Sequence, residues 1–423
     1  MAGRFYGWTL LAVVWLIMAF NLGVPAYSPS VINPEMGKSL GFTREIIGLM
    51  MSIYIILSGL PGPLVAMMVN RLGSRTTIVV GSLMIVAGAV GMATVVDSAL
   101  GAYICFGVLV GGGVCTGASL ASQTVLARWF LRRRAMALSI MYSAGAIGGA
   151  IAAKLLENLI LRTGDWRDAW WVIAGCSALS AVLSLALVRE RPEDMGQSVD
   201  GVAVTDAAAA SAAALRTRPS FITDTAWEFR DAVRNPGYWL ILSSLLGGSG
   251  LYTLFLAHGK LVLEDFGHAA GIGGTAVFTM TISGLIAKAI IILFGDRIDP
   301  RILWAGFTAI FGAGGIIFVH ASTVPLVYTF AVCLGIGFGG GVVCLMAVIG
   351  NYYGLKAFAL LCGIAIAVNT TLSALAPWVA GRLFERGYGY HGICYFLAAW
   401  CFAGALVLSL IRKPVPPSAH KPA

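Results

Sequence analysis

Twelve long apolar segments constrain this chain more than any other feature of its sequence. A helix that crosses a membrane needs about 20 consecutive, mostly apolar residues. With 58% hydrophobic and 11% charged residues among its 423, the chain is neither a soluble globular enzyme nor a disordered chain. The sequence therefore predicts an all-α membrane protein with helices at residues 7–31, 44–69, 76–95, 99–127, 135–160, 168–188, 237–263, 271–295, 302–320, 324–350, 357–381 and 390–411.

The Lys and Arg residues are distributed unevenly between the two sides of this predicted bundle. An even number of spans puts both termini on one side, and most of the 28 Lys and Arg residues lie in the termini and loops of that side. Cytoplasmic loops carry the excess of cations, so we predict a multi-pass protein of the inner (plasma) membrane with cytoplasmic termini. The net charge of +9 follows from this topology, and we expect no nucleic-acid partner. The opposite loops hold Lys38, Arg44, Arg162, Arg167, Lys260, Arg382 and Arg386.

A polar segment divides the predicted spans into two groups of six. Residues 189–236 are rich in charged residues and then in Ala, Thr and Ser, which predicts a cytoplasmic linker between an N-terminal bundle (1–188) and a C-terminal bundle (237–423). The end of the linker, from Trp227 to Val233, predicts a short amphipathic helix on the bilayer surface.

The two halves repeat three motifs in the same order. The matched pairs are Gly107–Gly113 with Gly335–Gly341, Asn70–Arg75 with Asp296–Arg301, and Arg128–Phe130 with Asn351–Tyr353. Three matches in one order indicate a duplicated six-helix unit, so the bundles are pseudo-symmetric. Such repeats build alternating-access transporters, with substrate bound near the midplane.

The loop after the second span resembles the signature of the major facilitator superfamily, Gly-xxx-Asp-Arg-x-Gly-x-Arg. Its positions are occupied here by Ala66, Asn70, Arg71, Gly73 and Arg75. The resemblance implies the major facilitator fold and a gate at the cytoplasmic face that holds the outward-open state. The implied gating residues are Arg71, Arg75, Asp296, Arg297 and Arg301. Because Asn70 replaces the acid, we expect the first copy of the gate to be weaker and less dependent on charge.

Further motifs resemble the monocarboxylate and oxalate/formate branch of that superfamily, its bacterial members especially. They are Phe42-Thr43-Arg44, Arg128 to Ala137, Gly164-Asp165-Trp166-Arg167, Arg191 to Gly196, Ala257-His258, and Lys288 ahead of Asp296. The resemblance covers nearly the whole chain outside the linker. It implies a secondary carrier for a small organic anion, with a proton or a counter-anion as the open alternatives for the coupling partner.

Lys288 is the strongest candidate for binding the substrate. It lies deep inside the eighth predicted span, where a bare ammonium is costly and must face a wet cavity or a partner. No Asp or Glu lies in the central part of any predicted span. An unpaired cation there suits an incoming carboxylate, and a hydrogen bond to carbonyl groups in helix packing is the alternative. In the resembling branch, the matching position is a cation that binds the substrate carboxylate.

Weaker candidates are polar or aromatic residues in otherwise apolar spans, and helix–helix hydrogen bonding is the alternative for each. His258 matches a position of the resembling branch, and its imidazole can donate to an anion or carry a proton. Lys154 has Glu157 three residues further on, which predicts a local ion pair. The other candidates for substrate contact are Asn21, Tyr27, Ser119, Gln123, Tyr142, Asn369 and Thr370.

Two positions depart from the resembling family and bear on coupling. Some members carry an Asp four residues before the span-8 cation as the proton site, and this chain has Gly284 there. Another branch has a cation in span 11, where this chain offers Asn369. These departures argue against proton symport, and one cation favours a monoanion over a dianion.

Other classes of protein fit the sequence less well. The eight cysteines lie in apolar runs without a CxxC pair, so we expect no disulfide framework, no metal site and no cofactor. A membrane-embedded enzyme would need clustered His, Asp or Glu within the spans. The closest rival is an exporter of apolar or aromatic compounds, because the chain is rich in aromatic residues. We expect a monomer whose partners are the bilayer and the anion.

Overall fold

The computed structural model describes residues 5–130, 134–199, 227–269, 271–294, 298–354 and 357–414. These residues form helices and their connections. Eleven of the described helices are long and apolar enough to cross a membrane, and one bent pair raises the number to as many as twelve. The predicted class, an all-α membrane protein with about a dozen spans, is therefore confirmed.

The chain divides into two compact units. The first unit comprises residues 1–214 with 270–278, and the second comprises residues 215–269 with 279–423. The helices of the first unit are α1 (Gly7–Met18), α2 (Val24–Tyr27), α3 (Pro29–Leu40), α4 (Arg44–Gly59), α5 (Gly62–Leu72), α6 (Ser74–Thr94), α7 (Ala99–Ala102), α8 (Gly111–Gly117), α9 (Ser119–Trp129), α10 (Arg134–Thr163) and α11 (Arg167–Leu187). Two π-helical segments, Ala19–Gly23 and Tyr103–Val110, continue α1 and α7.

Three predicted spans of the first unit are irregular where the sequence pattern predicts continuous helices. Span 1 contains the π-helical segment Ala19–Gly23, and span 2 bends by 44° between α4 and α5. Pro61 lies at that bend, where it removes a backbone donor and crowds the preceding turn. Span 4 breaks at Ala118, which leaves the helical region with φ −114° and ψ −100°.

The core of the first unit lies where α1, α5, α9 and α10 meet. Its largest buried side chains are Trp129 and Phe130, at the end of span 4. Close to the break in that span, α6 passes α8 at Gly81 and Gly117, and a Cβ on Gly81 would overlap the backbone nitrogen of Gly117. Small residues allow this approach of two membrane helices. The close crossing holds the broken span against α6.

The second unit contains the remaining helices. They are α12 (Phe229–Arg234), α13 (Pro236–Asp265), α14 (Ile272–Phe294), α15 (Pro300–Phe318), α16 (Val324–Tyr353), α17 (Phe358–Ser373), α18 (Leu375–Glu385) and α19 (His391–Leu410). Residues of α14 up to Phe278 belong to the first unit. The short helix expected at the end of the linker is present as α12. The Trp227 ring, however, packs 5.2 Å from the Tyr353 ring in the core and does not lie on a bilayer surface.

Candidate substrate site

Lys288 lies on α14 in the second unit and is half-buried. Within the described part of the chain it makes no hydrogen bond and no ion pair. The helix-packing alternative requires a carbonyl group that accepts a hydrogen bond from the ammonium. No described carbonyl group does so. A cation in this position is electrostatically available to an anionic ligand.

His258 is fully buried on α13, and its ring contacts the start of α18. Its Nε2 lies 2.9 Å from the carbonyl oxygen of Pro377, so this nitrogen carries the hydrogen and donates it. One turn earlier, the Thr253 hydroxyl donates to the carbonyl of Ser373 at 2.9 Å. In a continuous helix, the Ser373 carbonyl would accept the backbone N–H of residue 377. Residue 377 is a proline and has no N–H, so the carbonyl is left for Thr253. His258 and Thr253 thus satisfy the carbonyls around the break between α17 and α18.

Three of the first-unit candidates meet near the break at Ala118. The Asn21 amide nitrogen, in the π-helical segment, donates to Ser82 Oγ at 2.8 Å and to the Gly117 carbonyl at 3.0 Å. Immediately after the break, the side chain of Ser119 lies next to that of Tyr142 on α10. Gln123, one turn further along α9, is half-buried. The break therefore lies beside a band of polar side chains contributed by three helices.

The remaining candidates lie in two other places. Tyr27 is buried, and its ring packs directly against Gly149 of α10. Asn369 and Thr370 are half-buried on α17, one turn before the break that Thr253 contacts. The Asn369 side-chain oxygen is buried and has no hydrogen-bond partner among the described residues. Within the second unit, no described contact joins these residues to Lys288.

The loop after α5, where we predict the gate of the first unit, contacts an acid that the signature did not indicate. Glu190 accepts the Arg75 backbone N–H at 2.7 Å through Oε1 and pairs with Arg128 at 2.6 Å through Oε2. The Arg75 guanidinium donates to the carbonyl of Leu185, while Arg71 is exposed. We expected little charge at this loop because of Asn70. Glu190 supplies a carboxylate from the far end of span 6.

The corresponding loop of the second unit uses its own acid. Asp299 accepts the Arg301 backbone N–H at 3.1 Å, lies 3.2 Å from the Arg301 guanidinium, and accepts the Tyr352 hydroxyl at 2.9 Å. Asp296 and Arg297, the other predicted gating residues, lie outside the described residues. Asp299 caps α15, and it occupies the place in the repeat where the first unit has Gly73.

Two further lysines lie inside described helices that are long and apolar enough to cross a membrane. Lys154 Nζ is 3.6 Å from Glu157, so the predicted local ion pair is confirmed. Lys260, placed in a loop by the sequence pattern, lies within α13 with a side chain only 5% exposed and 4.0 Å from Glu264. The described residues contain no group of three His, Cys, Asp or Glu side chains close enough to hold a metal ion.

A model of the Major Facilitator Superfamily matches residues 9–295 and 259–423. The chain therefore belongs to the major facilitator superfamily, and it is a multi-pass membrane transporter, not an enzyme. It is 23% identical to monocarboxylate transporter 2 of Mesocricetus auratus, over 91% of this chain and 79% of that protein. It is 23% identical to monocarboxylate transporter 6 of Mus musculus, over 96% of this chain and 86% of that protein.

Solved structures share the fold at low identity. A crystal structure of a D-xylose-proton symporter matches with a TM-score of 0.69 and 15% identity, covering 96% of this chain and 97% of that one. A nucleoside transporter matches with a TM-score of 0.68 and 14% identity. The resemblance to the monocarboxylate branch is confirmed by the curated relatives, and the fold by the solved structures.

Proposed function

We propose that this protein is a secondary active transporter for a small, monocarboxylate-like anion, and that Lys288 binds the carboxylate. The observation that carries the proposal is the lack of any described partner for Lys288 inside a span. The names of the relatives support the substrate class, since they are monocarboxylate transporters.

The proposed binding step is a charge-assisted hydrogen bond between the Lys288 ammonium and one carboxylate oxygen. Such bonds are about twice as strong as neutral ones. The single cation neutralises one negative charge, so a monoanion leaves no net charge in the membrane and a dianion leaves one. The bound complex then crosses by rocker-switch alternating access of the two repeats around the site. Asn21, Tyr27, Ser119, Gln123, Tyr142, His258, Asn369 and Thr370 remain the proposed contacts for the rest of the substrate.

Uptake into proteoliposomes tests this function. We expect saturable uptake of a labelled short monocarboxylate that unlabelled monocarboxylates inhibit more strongly than dicarboxylates do. The Lys288→Ala protein, reconstituted at equal density, should take up no more label than empty liposomes. Wild-type protein that ignores all carboxylates but moves an apolar aromatic dye would replace this proposal with the exporter function.

We also propose an inner (plasma) membrane location with cytoplasmic termini, because the cations concentrate on that side. The prediction is that Ala210→Cys, within the linker, is not labelled by an impermeant maleimide in intact cells and is labelled after permeabilisation. A cysteine replacing Tyr388, which is exposed in the connection between α18 and α19, is the matched control and should react in intact cells. Labelling of residue 210 from outside would reverse the orientation.

A further inference from the structure

Glu157 is the one acidic side chain that is fully buried in the described part of the chain. It lies on α10 with none of its side chain exposed, one turn after Lys154, whose side chain is 38% exposed. Ionisable residues inside a span are costly, and those that occur there mark ion or proton pathways. Nothing in the proposed substrate site uses this carboxyl group.

The Glu157 carboxylate holds the first turn of α14. Its Oε1 accepts the Gly274 backbone N–H at 3.0 Å, and its Oε2 lies 3.6 Å from Lys154 Nζ. Lys154 in turn donates to the carbonyl of Gly271 at 3.0 Å and to the Thr275 hydroxyl at 2.8 Å. The first N–H groups of a helix lack partners inside the helix and carry partial positive charge, so an ionised carboxylate suits this position.

The backbone at this contact leaves room for a carboxylate and little else. A Cβ on Gly274 would lie 2.5 Å from Glu157 Oε2 and 3.1 Å from the Ala153 carbonyl oxygen. The first turn of α14 can therefore approach α10 this closely only with glycine at residue 274. Two charged side chains and a glycine on separate segments thus form one contact, which we name the α10–α14 clamp.

The clamp is attached to the helix that carries Lys288. Residues 272–278 of α14 belong to the first unit, while the rest of the helix, with Lys288, belongs to the second. Alternating access changes the packing of such helices during each cycle. A change at the start of α14 can therefore act on the helix that carries Lys288.

The charged groups around Glu157 leave Lys154 as its one ionic partner among the described residues. The start of α14, from Ile272 to Phe278, contains no titratable side chain. Of the helices packed on α10, α3 carries Glu35 and Lys38, which pair with each other at 3.4 Å. On α11, Arg167 pairs with Asp97 at 3.1 Å. Asp168 is the next residue on α11. The Tyr27 ring on α2 faces Gly149, and Arg128 on α9 pairs with Glu190.

We propose that Glu157 binds and releases the proton that accompanies transport, and that its ionised form closes the α10–α14 clamp. One proton from water adds to a carboxylate oxygen, and it returns to water when the carboxyl ionises again. The neutral acid no longer pairs with Lys154, and its bond from the Gly274 N–H falls to the strength of a neutral hydrogen bond. Protonation therefore loosens the clamp. The partly exposed Lys154 marks the side from which water reaches the pair.

This site would supply what α14 itself lacks. The sequence of α14 contains no acid, and Gly284 stands where some relatives of the resembling family carry one. An acid on α10 that grips the start of α14 couples a proton to the same helix from outside it. The coupling to a carboxylate rests on the proposed function, whereas the opening of the clamp does not.

Cysteine labelling of the clamp tests the proposal without substrate. In a background that lacks the eight native cysteines, Ala276→Cys places a thiol at a fully buried position of α14. Its maleimide labelling rate is divided by that of the exposed Ala269→Cys, which removes the intrinsic pH dependence of the thiol. We expect the ratio to rise about tenfold as the pH is lowered, because protonation removes the ionic part of the contact.

Variants of the clamp separate protonation from packing. Glu157→Gln should show the high ratio at every pH, and the control Glu385→Gln, at an exposed position, should behave as wild type. Lys154→Met should raise the ratio even where Glu157 is ionised, because the variant lacks the ionic part of the contact. Gly274→Ala should raise the ratio by wedging the clamp open, with Glu157 still present. An unchanged pH dependence in Glu157→Gln would overturn the proposal.

Transport provides the second measurement. Reconstituted Glu157→Gln should exchange labelled for unlabelled monocarboxylate but should lose uptake driven by a pH gradient, whereas the control Glu385→Gln should retain that response. If wild-type protein moves no monocarboxylate, the proposed substrate is wrong while the labelling result still decides the clamp. If Glu157→Gln keeps gradient-driven uptake at the wild-type rate, Glu157 does not carry the proton.

Discussion

The two units of this transporter each hold a lysine inside a membrane helix, and the surroundings of the two lysines differ. In the first unit, Lys154 donates to a carbonyl group and a hydroxyl group and lies 3.6 Å from Glu157. In the second unit, Lys288 has no described partner. A cation whose donors are already used cannot bind an anion without breaking those contacts. The comparison therefore supports our proposals that the substrate charge binds in the second unit and that the pair in the first unit has a structural or coupling role.

The two units also differ in where the acid at the start of α6 and of α15 comes from. The second unit caps its helix with Asp299, the residue just before the helix. The first unit has Gly73 at that place in the repeat and brings Glu190 from the end of span 6 to the same backbone position. An aromatic side chain serves each loop, since Tyr352 donates to Asp299 and Trp129 donates to the carbonyl of Arg189. The first unit thus takes its acid from a distant segment, whereas the second uses the residue next to the helix.

The largest expected effect comes from removing the unpaired lysine. Lys288→Ala should weaken binding of a monocarboxylate to the purified protein by about 30-fold to several thousand-fold, equivalent to roughly 2–5 kcal/mol. Lys154→Ala, the matched control, should change the affinity by less than about tenfold, because Lys154 already has partners. Calorimetric titration of both variants and the wild type measures this. A larger loss in Lys154→Ala would assign the substrate charge to the first unit.

Replacing Lys288 by another cationic side chain of different shape should weaken binding less than removing the charge. Lys288→Arg retains the cation but replaces a compact ammonium by a planar guanidinium, so the distance to the carboxylate changes. We expect binding to weaken by about tenfold and transport to continue at a reduced rate. The same titration, followed by proteoliposome uptake, checks this. An arginine variant as inactive as Lys288→Ala would mean that geometry outweighs charge at this position.

The two loop acids should differ in their contribution to stability. Glu190→Ala removes a contact to Arg128 and one to the start of α6, and we expect it to lower the free energy of unfolding by about 2 kcal/mol. Asp299→Ala removes a helix cap together with the contacts to the Arg301 guanidinium and the Tyr352 hydroxyl, and should cost about 3 kcal/mol. Thermal unfolding in detergent should show these as a drop of about 2–4 °C per kcal/mol. Equal losses would show that the Arg301 guanidinium and Tyr352 contacts of Asp299 add little to its cap.

The smallest effect is expected when the first loop is made to resemble the second. Arg128→Asn introduces the residue found at the matching position, Asn351, and removes the ion pair with Glu190. Both partners of that pair are partly exposed, so the loss should be about 0.5–1 kcal/mol. Glu190 keeps its contact with the Arg75 backbone. The same unfolding measurement checks the value, and a loss as large as that of Glu190→Ala would place all of the contribution in the ion pair.

The sequence predicted the features that follow from composition and spacing. The spans and the Lys154–Glu157 pair could be found because each depends on residues close together in the chain or on long apolar runs. The family could be recognised because its motifs are local as well. Lys288 could be singled out because an isolated cation in an apolar run is visible without knowledge of its neighbours.

The features that were missed depend on contacts between distant segments. Glu190 and Arg75 are 115 residues apart in the sequence. The charged run Arg189-Glu190-Arg191 does not indicate which residues Glu190 contacts. The break at Ala118 has no proline to announce it, because it depends on how α6 packs against the span. The attachment of Lys154 and Glu157 to α14 pairs residues that lie in different halves of the sequence. No spacing rule predicts such a pair.

The close crossing of α6 and α8 affects how mutational scans of this transporter are interpreted. Replacing Gly81 by alanine would add a methyl group where the backbone of Gly117 already lies, so the variant should fail to assemble. In an activity screen, that loss looks the same as the loss of a substrate contact, and both glycines lie close to Asn21 and Ser119. Measuring the amount of folded protein for each variant separates the two causes. Without that measurement, the most damaging positions in the scan would outline the helix crossing and not the substrate site.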